Sequence, residues 1–519
     1  MSDSITAAAD EVKSAVMSVA EGVSLDYTIK ERADGPFLLF ELAQPNNRFF
    51  RMIEAALVNI PKENQFRERT TVVRRPRTPG DRLSLPETQL LRAAISESLT
   101  VDKNSFEEDF FSRYTASVTN FENQIITNAN FIVYGRRGAG KSSLLSYAMH
   151  KLKQRSLPFA WVAMQVYAGR SELKLVADII EDIVSQLREF PHDESTYLIA
   201  LSQIRILEKA SDADFPRILR QTLPKLQHFV RSVSSANRNV TIFLDDFHVL
   251  PDVIQPQVLA ALYGIARGQR THIKISGIEQ FSRPWDAETS SGLQPNQDAQ
   301  IIRLDHNLTM PDRSRKHIIG ILDAQARFCG LPNIRFLTSE EALSRLVWVA
   351  AAVPRDALSL FSLAISKGIA KGEKRVSVTS INAAASESAE AKLKDVDQDA
   401  SSQKELVLSA LDAVGNFCIQ RNRRNAFLLE IDNSDPVYKA IQKLISLRFV
   451  HVLHEGITPH RAGKRFVALM LDYGFYVGVR AAKSVGLFQK EPRTILAKDL
   501  RKLPVFPLTT PLPPETAMI

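Results

Sequence analysis

The chain has 519 residues, with 66 Lys and Arg against 58 Asp and Glu, two Cys and a 45% apolar share. That length supports two to four domains, and the near-average apolar and charged content excludes wholesale disorder, a collagen-like repeat or a coiled-coil rod for most of the chain. Cys329 and Cys418 are too few and too far apart for a disulfide framework or a zinc site, no run of about 18 apolar residues occurs, and the N-terminus is acidic and alanine-rich; a reducing, cytoplasmic setting is the expectation.

The net charge of +8 is unevenly placed. Residues 1–100 carry 13 basic and 14 acidic side chains, residues 101–400 carry 36 and 34, and residues 401–519 carry 17 and 10. A basic C-terminal segment on a nearly neutral body suits nucleic-acid contact, although solubility alone gives the same sum.

In chain order, residues 1–100 lack long periodic patterns and read as an N-terminal extension or partner arm. Within them Arg67 to Gly80, with five arginines and two prolines, reads as an extended or looped connector. It is either a phosphate-gripping segment or a solvated strap. Residues 101–308 alternate helix and strand signals. An amphipathic stretch around Phe106 to Phe121 precedes the β-rich run Phe131 to Tyr134. Further strands are expected at Phe159 to Val166, Val240 to Leu244, His272 to Ser276 and Gln300 to Leu304, with helices over Lys141 to Lys153, Leu173 to Phe190 and Phe215 to Ser232. This alternation predicts an α/β domain with a parallel sheet covered by helices.

Residues 309–382 predict an all-helical lid, with helices over Arg313 to Phe328, Ser339 to Val349 and Pro354 to Ile369. The polar stretch 383–403 reads as a linker or an exposed helix. Residues 404–480 then form a compact set: a helix from Lys404 to Cys418, a second helical segment near Phe427, a third over Asp435 to Leu447 and the β-rich Phe449 to Leu453. The last segment, 481–519, reads as an extended, proline-rich tail.

The strongest signal is Gly135, Arg136, Arg137, Gly138, Ala139, Gly140, Lys141, Ser142, a full match to the phosphate-loop pattern, followed by Ser143. Glycines at this spacing let backbone amides turn inward around phosphate oxygens, and the helix that follows presents its positive end. Lys141 is placed to reach the β- and γ-phosphates, and the Ser142 hydroxyl to coordinate Mg²⁺. A strand-end carboxylate is also needed. Val240 to Asp246 supplies Asp245 for the metal and Asp246 to orient the attacking water, a task usually given to the longer Glu, so slow turnover is expected. The competing reading is that the two aspartates cap the next helix. Ser276, at a neighbouring strand end, is either a phosphate contact or a simple hydroxyl. Arg355, in Val353-Pro-Arg-Asp-Ala-Leu358, either reports on phosphates from the lid or pairs with Asp356. No guanine-reading N/T-K-x-D and no L-S-G-G-Q-like segment is present, which leaves ATP as the expected nucleotide.

The order of the Gly135 to Ser142 loop, the Leu244-Asp-Asp246 strand end, the Ile275-Ser276 strand end, the helical segment with Val353 to Leu358 and the basic C-terminal module resembles AAA+ ATPases of the origin-recognition/Cdc6 type and their bacterial STAND-like relatives. The resemblance spans roughly residues 105–480. It implies that Lys141 and Ser142 are Walker A residues, Asp245 and Asp246 Walker B, Ser276 sensor 1 and Arg355 sensor 2. Asp in place of Glu at 246 and Ser in place of Asn or Thr at 276 depart from the usual pattern. Arg267, Arg270 and Arg283 are the candidates for an arginine finger that an ATP-bridged oligomer requires.

The C-terminal module looks like a winged helix. In that family the helix over Asp435 to Leu447 lies in the DNA major groove and the ribbon touches backbone. Lys439 and Lys443 then share a face with Gln442, Arg461, Lys464 and Arg465 sit at or just after the wing, and Arg421, Arg423 and Arg424 form a further basic cluster. Winged helices also dock proteins, and His451, His454 and His460 lack the partners of a metal site. The expected function is an ATP-binding, slowly hydrolysing switch coupling nucleotide state to DNA or partner binding. The alternative is a nucleotide-stabilised scaffold for an effector protein, such as a nuclease in a bacterial defence or mobile-element system, without DNA contact.

Overall fold

The computed structural model describes residues 2–76, 80–101, 108–235, 237–304, 311–399, 404–432, 434–457, 464–475 and 497–508. The chain divides into two compact units. One is built from Thr100–Phe111 and Ala116–Asp305, the other from Met1–Leu99, Ser112–Thr115 and His306–Ile519.

The first unit is organised around a five-stranded sheet. Its spatial order is Gln300–Arg303, Phe131–Tyr134, Thr271–Gly277, Val240–Asp245 and Phe159–Ala163, and every pairing is parallel. The two strands carrying the phosphate loop and the aspartates are buried at every position, so they read as continuous apolar runs without alternation, as strands covered on both faces do. Helices Lys141–Gln154, Lys174–Leu187, Glu194–Glu208, Phe215–Val233 and Gln255–Ala266 supply the surrounding apolar faces. Helices Glu194–Glu208 and Gln255–Ala266 escape the sequence reading. The first carries Leu198, Ile199 and Ile206 on its exposed side, which blurs its period. Of the amphipathic stretch Phe106 to Phe121, residues 106 and 107 lie outside the described residues. The remainder forms two short helices, Glu108–Arg113 and Phe121–Ile125, separated by a non-helical stretch.

The second unit joins both ends of the sequence. Strand Gly35–Leu42 pairs antiparallel with Tyr27–Arg32 and parallel with Thr70–Arg74. One apolar core runs from Ala9 through helices Asn47–Val58 and Pro86–Ser98 and the helical segment after 311 to Phe506. The expectation of an extended or looped connector at 67–80 is therefore corrected in part: the extended backbone belongs to a sheet and not to a connector. Thr70–Arg74 is a strand, and Arg75 is a buried partner of the fully buried Glu87. Its two valines are followed by two arginines that hide the strand in the sequence; Arg74 is exposed, and Arg75 is paired inside the fold.

Helices Pro311–Phe328, Glu340–Val349 and Pro354–Ala370 follow the expected positions closely. The stretch 383–403, expected as a linker or an exposed helix, is helical up to Asp399 as part of Val378–Asp399, and it is partly buried, with Ala384, Ala385 and Ala389 inside the fold. Its small residues serve close packing: a side chain added at Gly474 would meet the Ala385 carbonyl at 2.6 Å and the Ala389 Cβ at 2.7 Å. The segment near Phe427 is strand Ala426–Glu430 and not a helix, because a short, wholly buried apolar run carries no periodic signal. It pairs with Phe466–Leu471, which pairs with Val450–Ile457; Val505–Phe506, from the expected tail, adds a parallel fourth strand. Helices Lys404–Gly415 and Pro436–Ser446 complete this C-terminal group. Residues 476–480 at the end of the expected 404–480 module, and 481–496 and 509–519 of the expected tail, lie outside the described residues.

Candidate functional site: a phosphate loop facing two aspartates

Strand register assembles the site. Val133 lies level with Ser276, and Leu244 with Ile275, so Asp245 comes beside Ser276 at the carboxyl ends of adjacent strands, next to the start of the loop at Gly135. Within the loop Gly138 and Gly140 have φ of +84° and +95°, a conformation that side-chain-bearing residues rarely adopt. Gly140 directly precedes helix Lys141–Gln154, whose first N–H groups are open to an anion. Lys141 is buried, and its Nζ donates to the Arg136 carbonyl at 3.3 Å. Arg137 is exposed; Arg136, Ser142 and Ser143 are half-buried and Ala139 is buried.

Asp245 is the centre of the polar network. Its Oδ1 accepts from Ser142 Oγ at 3.0 Å and from Ser276 Oγ at 2.5 Å. Burial pushes its carboxyl up to about 6, and the neighbouring charge of Asp246 adds to that. The Ser276 and Ser142 hydroxyls and the Lys141 ammonium act in the opposite direction. Ser276 is fully buried, and its Oγ also accepts from the Asp246 N–H at 2.9 Å. In this structure the hydroxyl therefore holds the two aspartates.

Asp246 adopts left-handed backbone, φ +55°. Its Oδ2 accepts from Gln165 Nε2 at 2.8 Å, and its Oδ1 lies 3.9 Å from His248 Nδ1. Neither Gln165 nor His248 stood out in the sequence. The only hints are position: Gln165 follows its strand end by two residues, and His248 follows Asp246 by two. Arg355 lies in the other unit, where its guanidinium donates to the Leu99 carbonyl at 3.0 Å from Nε; Asp356 pairs instead with Arg448. Among the finger candidates, Arg283 is paired with Asp286 at 2.8 Å, while Arg267 and Arg270 precede strand Thr271–Gly277 at its amino end.

Residues 121–275 match the family model described as AAA ATPase domain. This segment is similar to AAA ATPase domains. Its parallel sheet, with one strand between the loop strand and the aspartate strand, is a P-loop fold of the AAA+ type and a nucleotide-binding one. No curated protein matches the sequence. Among solved structures, the chain is similar to one described as Drosophila ORC bound to DNA, at 13% identity over 83% of this chain and 94% of that one, TM-score 0.36. The Aeropyrum pernix ORC2 protein in ADPNP and ADP complexes gives 14% identity over 69% and 87%, TM-score 0.38. The Aeropyrum pernix ORC1 protein in complex with DNA gives 14% over 76% and 95%, TM-score 0.37. The fold assignment of the AAA domain rests on the family match, the strand order and the loop.

Among the described residues of the chain, no helix is long and apolar enough to cross a membrane, and no three His, Cys, Asp or Glu side chains gather as a metal site. The basic C-terminal residues are distributed as follows. Arg421, Arg423, Arg424 and Lys439 are exposed, Lys443 is half-buried, and Lys464 and Arg465 are exposed, with Lys464 paired to Glu430. Arg461 lies outside the described residues.

Proposed function

We propose that this chain is an ATP-dependent switch that binds Mg²⁺ and ATP at the AAA domain, hydrolyses ATP slowly and uses the nucleotide state to control binding of DNA through its basic C-terminal residues. One observation carries the reading: the Ser142 and Ser276 hydroxyls converge on the buried Asp245 beside a glycine loop with two left-handed glycines.

The residues fit such a ligand. Ser142 and Asp245 are a hydroxyl and a carboxylate already in contact, the oxygen donors Mg²⁺ prefers. Bound Mg²⁺ supplies charge neutralisation at phosphate oxygens. Lys141 exchanges its backbone carbonyl partner for phosphate oxygens, and the glycine loop accepts them on its backbone amides. Asp246 orients the attacking water and takes its proton. Its side chain is one methylene shorter than that of Glu, which suits a slow turnover and a long-lived ATP state. Arg355 is the proposed phosphate-sensing arginine of the helical segment, and Arg355→Ala is expected to slow hydrolysis without loss of ATP affinity.

Lys141→Ala is expected to abolish ATP binding, measured by calorimetry, whereas Asp246→Ala keeps binding and accumulates the ATP-bound form. Equal loss of binding in both variants would overturn these roles. For DNA, neutralising Arg421, Arg423 and Arg424 together is expected to reduce the slope of log K against log salt by roughly 3, about one unit per phosphate contact. An unchanged slope would remove that cluster from the DNA face. An ATP-dependent increase in mass, measured by light scattering, is the expected sign of a homo-oligomer; a constant mass sets the oligomer aside.

A further inference from the structure

Two features of the AAA domain are left unexplained by the roles above. Asp246 has one carboxylate oxygen tied and one without a hydrogen bond among the described residues: Oδ2 accepts from Gln165, while Oδ1 lies 3.9 Å from the His248 imidazole. His248 Nδ1 is itself buried and has no hydrogen-bond partner among the described residues. A buried ring nitrogen left unpaired is costly, and such an atom in a native fold calls for an explanation. The gap to the carboxylate is about 1 Å longer than a hydrogen bond, within reach of a small side-chain rotation.

The surroundings select the chemistry. Burial lowers the His248 imidazole to about 4, helped by the positive charges of Lys141 and Arg137 and opposed by Asp246. At neutral pH the ring is therefore uncharged and carries one N–H, whose place is set by what it faces. Facing a carboxylate, the stable arrangement has the hydrogen on Nδ1. The backbone of Asp246 is already fixed by the Ser276 bond to its N–H, so the remaining freedom is in the side-chain torsions. One hydrogen bond from Gln165 leaves the carboxylate plane free to turn about that contact. A second donor on the other oxygen stops it.

We propose that His248 is a positioning residue for ATP hydrolysis, donating from Nδ1 to Asp246 Oδ1 and, with Gln165 on the other oxygen, fixing the plane of the carboxylate that orients the attacking water. This rests on the reading of Asp246 as the water-orienting group. The imidazole touches neither nucleotide nor water, and no net proton is gained or lost by it in the cycle.

The test uses the full-length chain. His248→Ala should lower kcat roughly 10- to 100-fold while ATP affinity stays within about twofold, the pattern of a misplaced catalytic group. His248→Asn, which sets an amide donor near the place of Nδ1, should restore much of the rate; His248→Gln, which sets it near the place of Nε2, should not. Imidazole nitrogen NMR gives a readout independent of turnover: His248 should carry its hydrogen on Nδ1 in the wild type and shift it to Nε2 in Asp246→Ala. A wild-type rate in His248→Ala, equal rescue by Asn and Gln, or an unchanged tautomer in Asp246→Ala would each overturn the proposal. If Asp246→Ala itself hydrolyses ATP normally, the role given to Asp246 fails instead, and the two failures are thereby told apart.

Discussion

At residue 246 the backbone accounts for the side chain. The resemblance to AAA+ proteins makes Glu the usual residue there, yet the left-handed φ of +55° favours Asp, whose short polar side chain tolerates that region better than most. The same strand end carries a pH dependence with two opposite signs. Asp245 is raised from 3.8 to about 6 in the folded state, so its contribution to folding is fully present below 3.8 and lost as the pH rises through about 6. Metal binding needs the carboxylate and runs the other way: Mg²⁺-dependent ATP affinity is expected to fall as the pH drops through about 6. Asp245→Asn is expected to flatten the stability profile across this window and to raise stability at pH 8 by roughly 3 kcal/mol, while removing the Mg²⁺ dependence. Denaturation midpoints and ATP titrations across that range read both effects. A Tm that responds to pH as strongly in the variant as in the wild type would assign the dependence to another group.

At the scale of elements, the junction between helices Glu340–Val349 and Pro354–Ala370 is made by Ala351 and Ala352, both buried and both left-handed, with φ of +48° and +62°. Alanine in this region is disfavoured by roughly 1 kcal/mol, because Cβ crowds the following carbonyl. The turn is nonetheless held by hydrogen bonds from the Ala351 and Ala352 N–H groups to the Trp348 and Val347 carbonyls. Ala352→Gly is expected to raise the Tm by about one degree, a net gain of roughly 0.5 kcal/mol after the extra chain entropy of glycine. A lower Tm would mean that the methyl group's packing outweighs the strain. Elements with a partly exposed face, such as Pro354–Ala370, were legible in the sequence because their period survives. Ala426–Glu430 was not, because complete burial erases the contrast on which periodicity depends.

At the scale of the molecule, the second unit is a single core drawn from distant parts of the chain, and its polar joints show the same thing. Asp472 accepts from Lys392 at 2.8 Å and is bonded to His451 at 2.9 Å. Burial alone would raise this carboxyl, but the Lys392 ammonium and the His451 imidazole outweigh it and hold it well below the usual range. Its stabilising contribution is thus present above the ordinary carboxylate range and is lost as the pH falls below it. Asp472→Ala leaves Lys392 without its buried partner and is expected to cost about 3–5 kcal/mol, read from urea unfolding. A cost under about 1 kcal/mol would show the site to be open to water. The sequence by itself determined the phosphate loop, its helix and the aspartate strand, because glycine spacing, a following Lys-Ser and a β-rich run ending in acid are local requirements of phosphate chemistry. Only the tertiary structure decided which groups hold Asp246 and where residues 1–99 belong. Gln165 meets Asp246 across 81 positions of chain through the order of parallel strands, and the N-terminal strands bury their apolar faces in a core completed by residues beyond 306. Contacts set by strand order and long-range burial leave no local spacing to read.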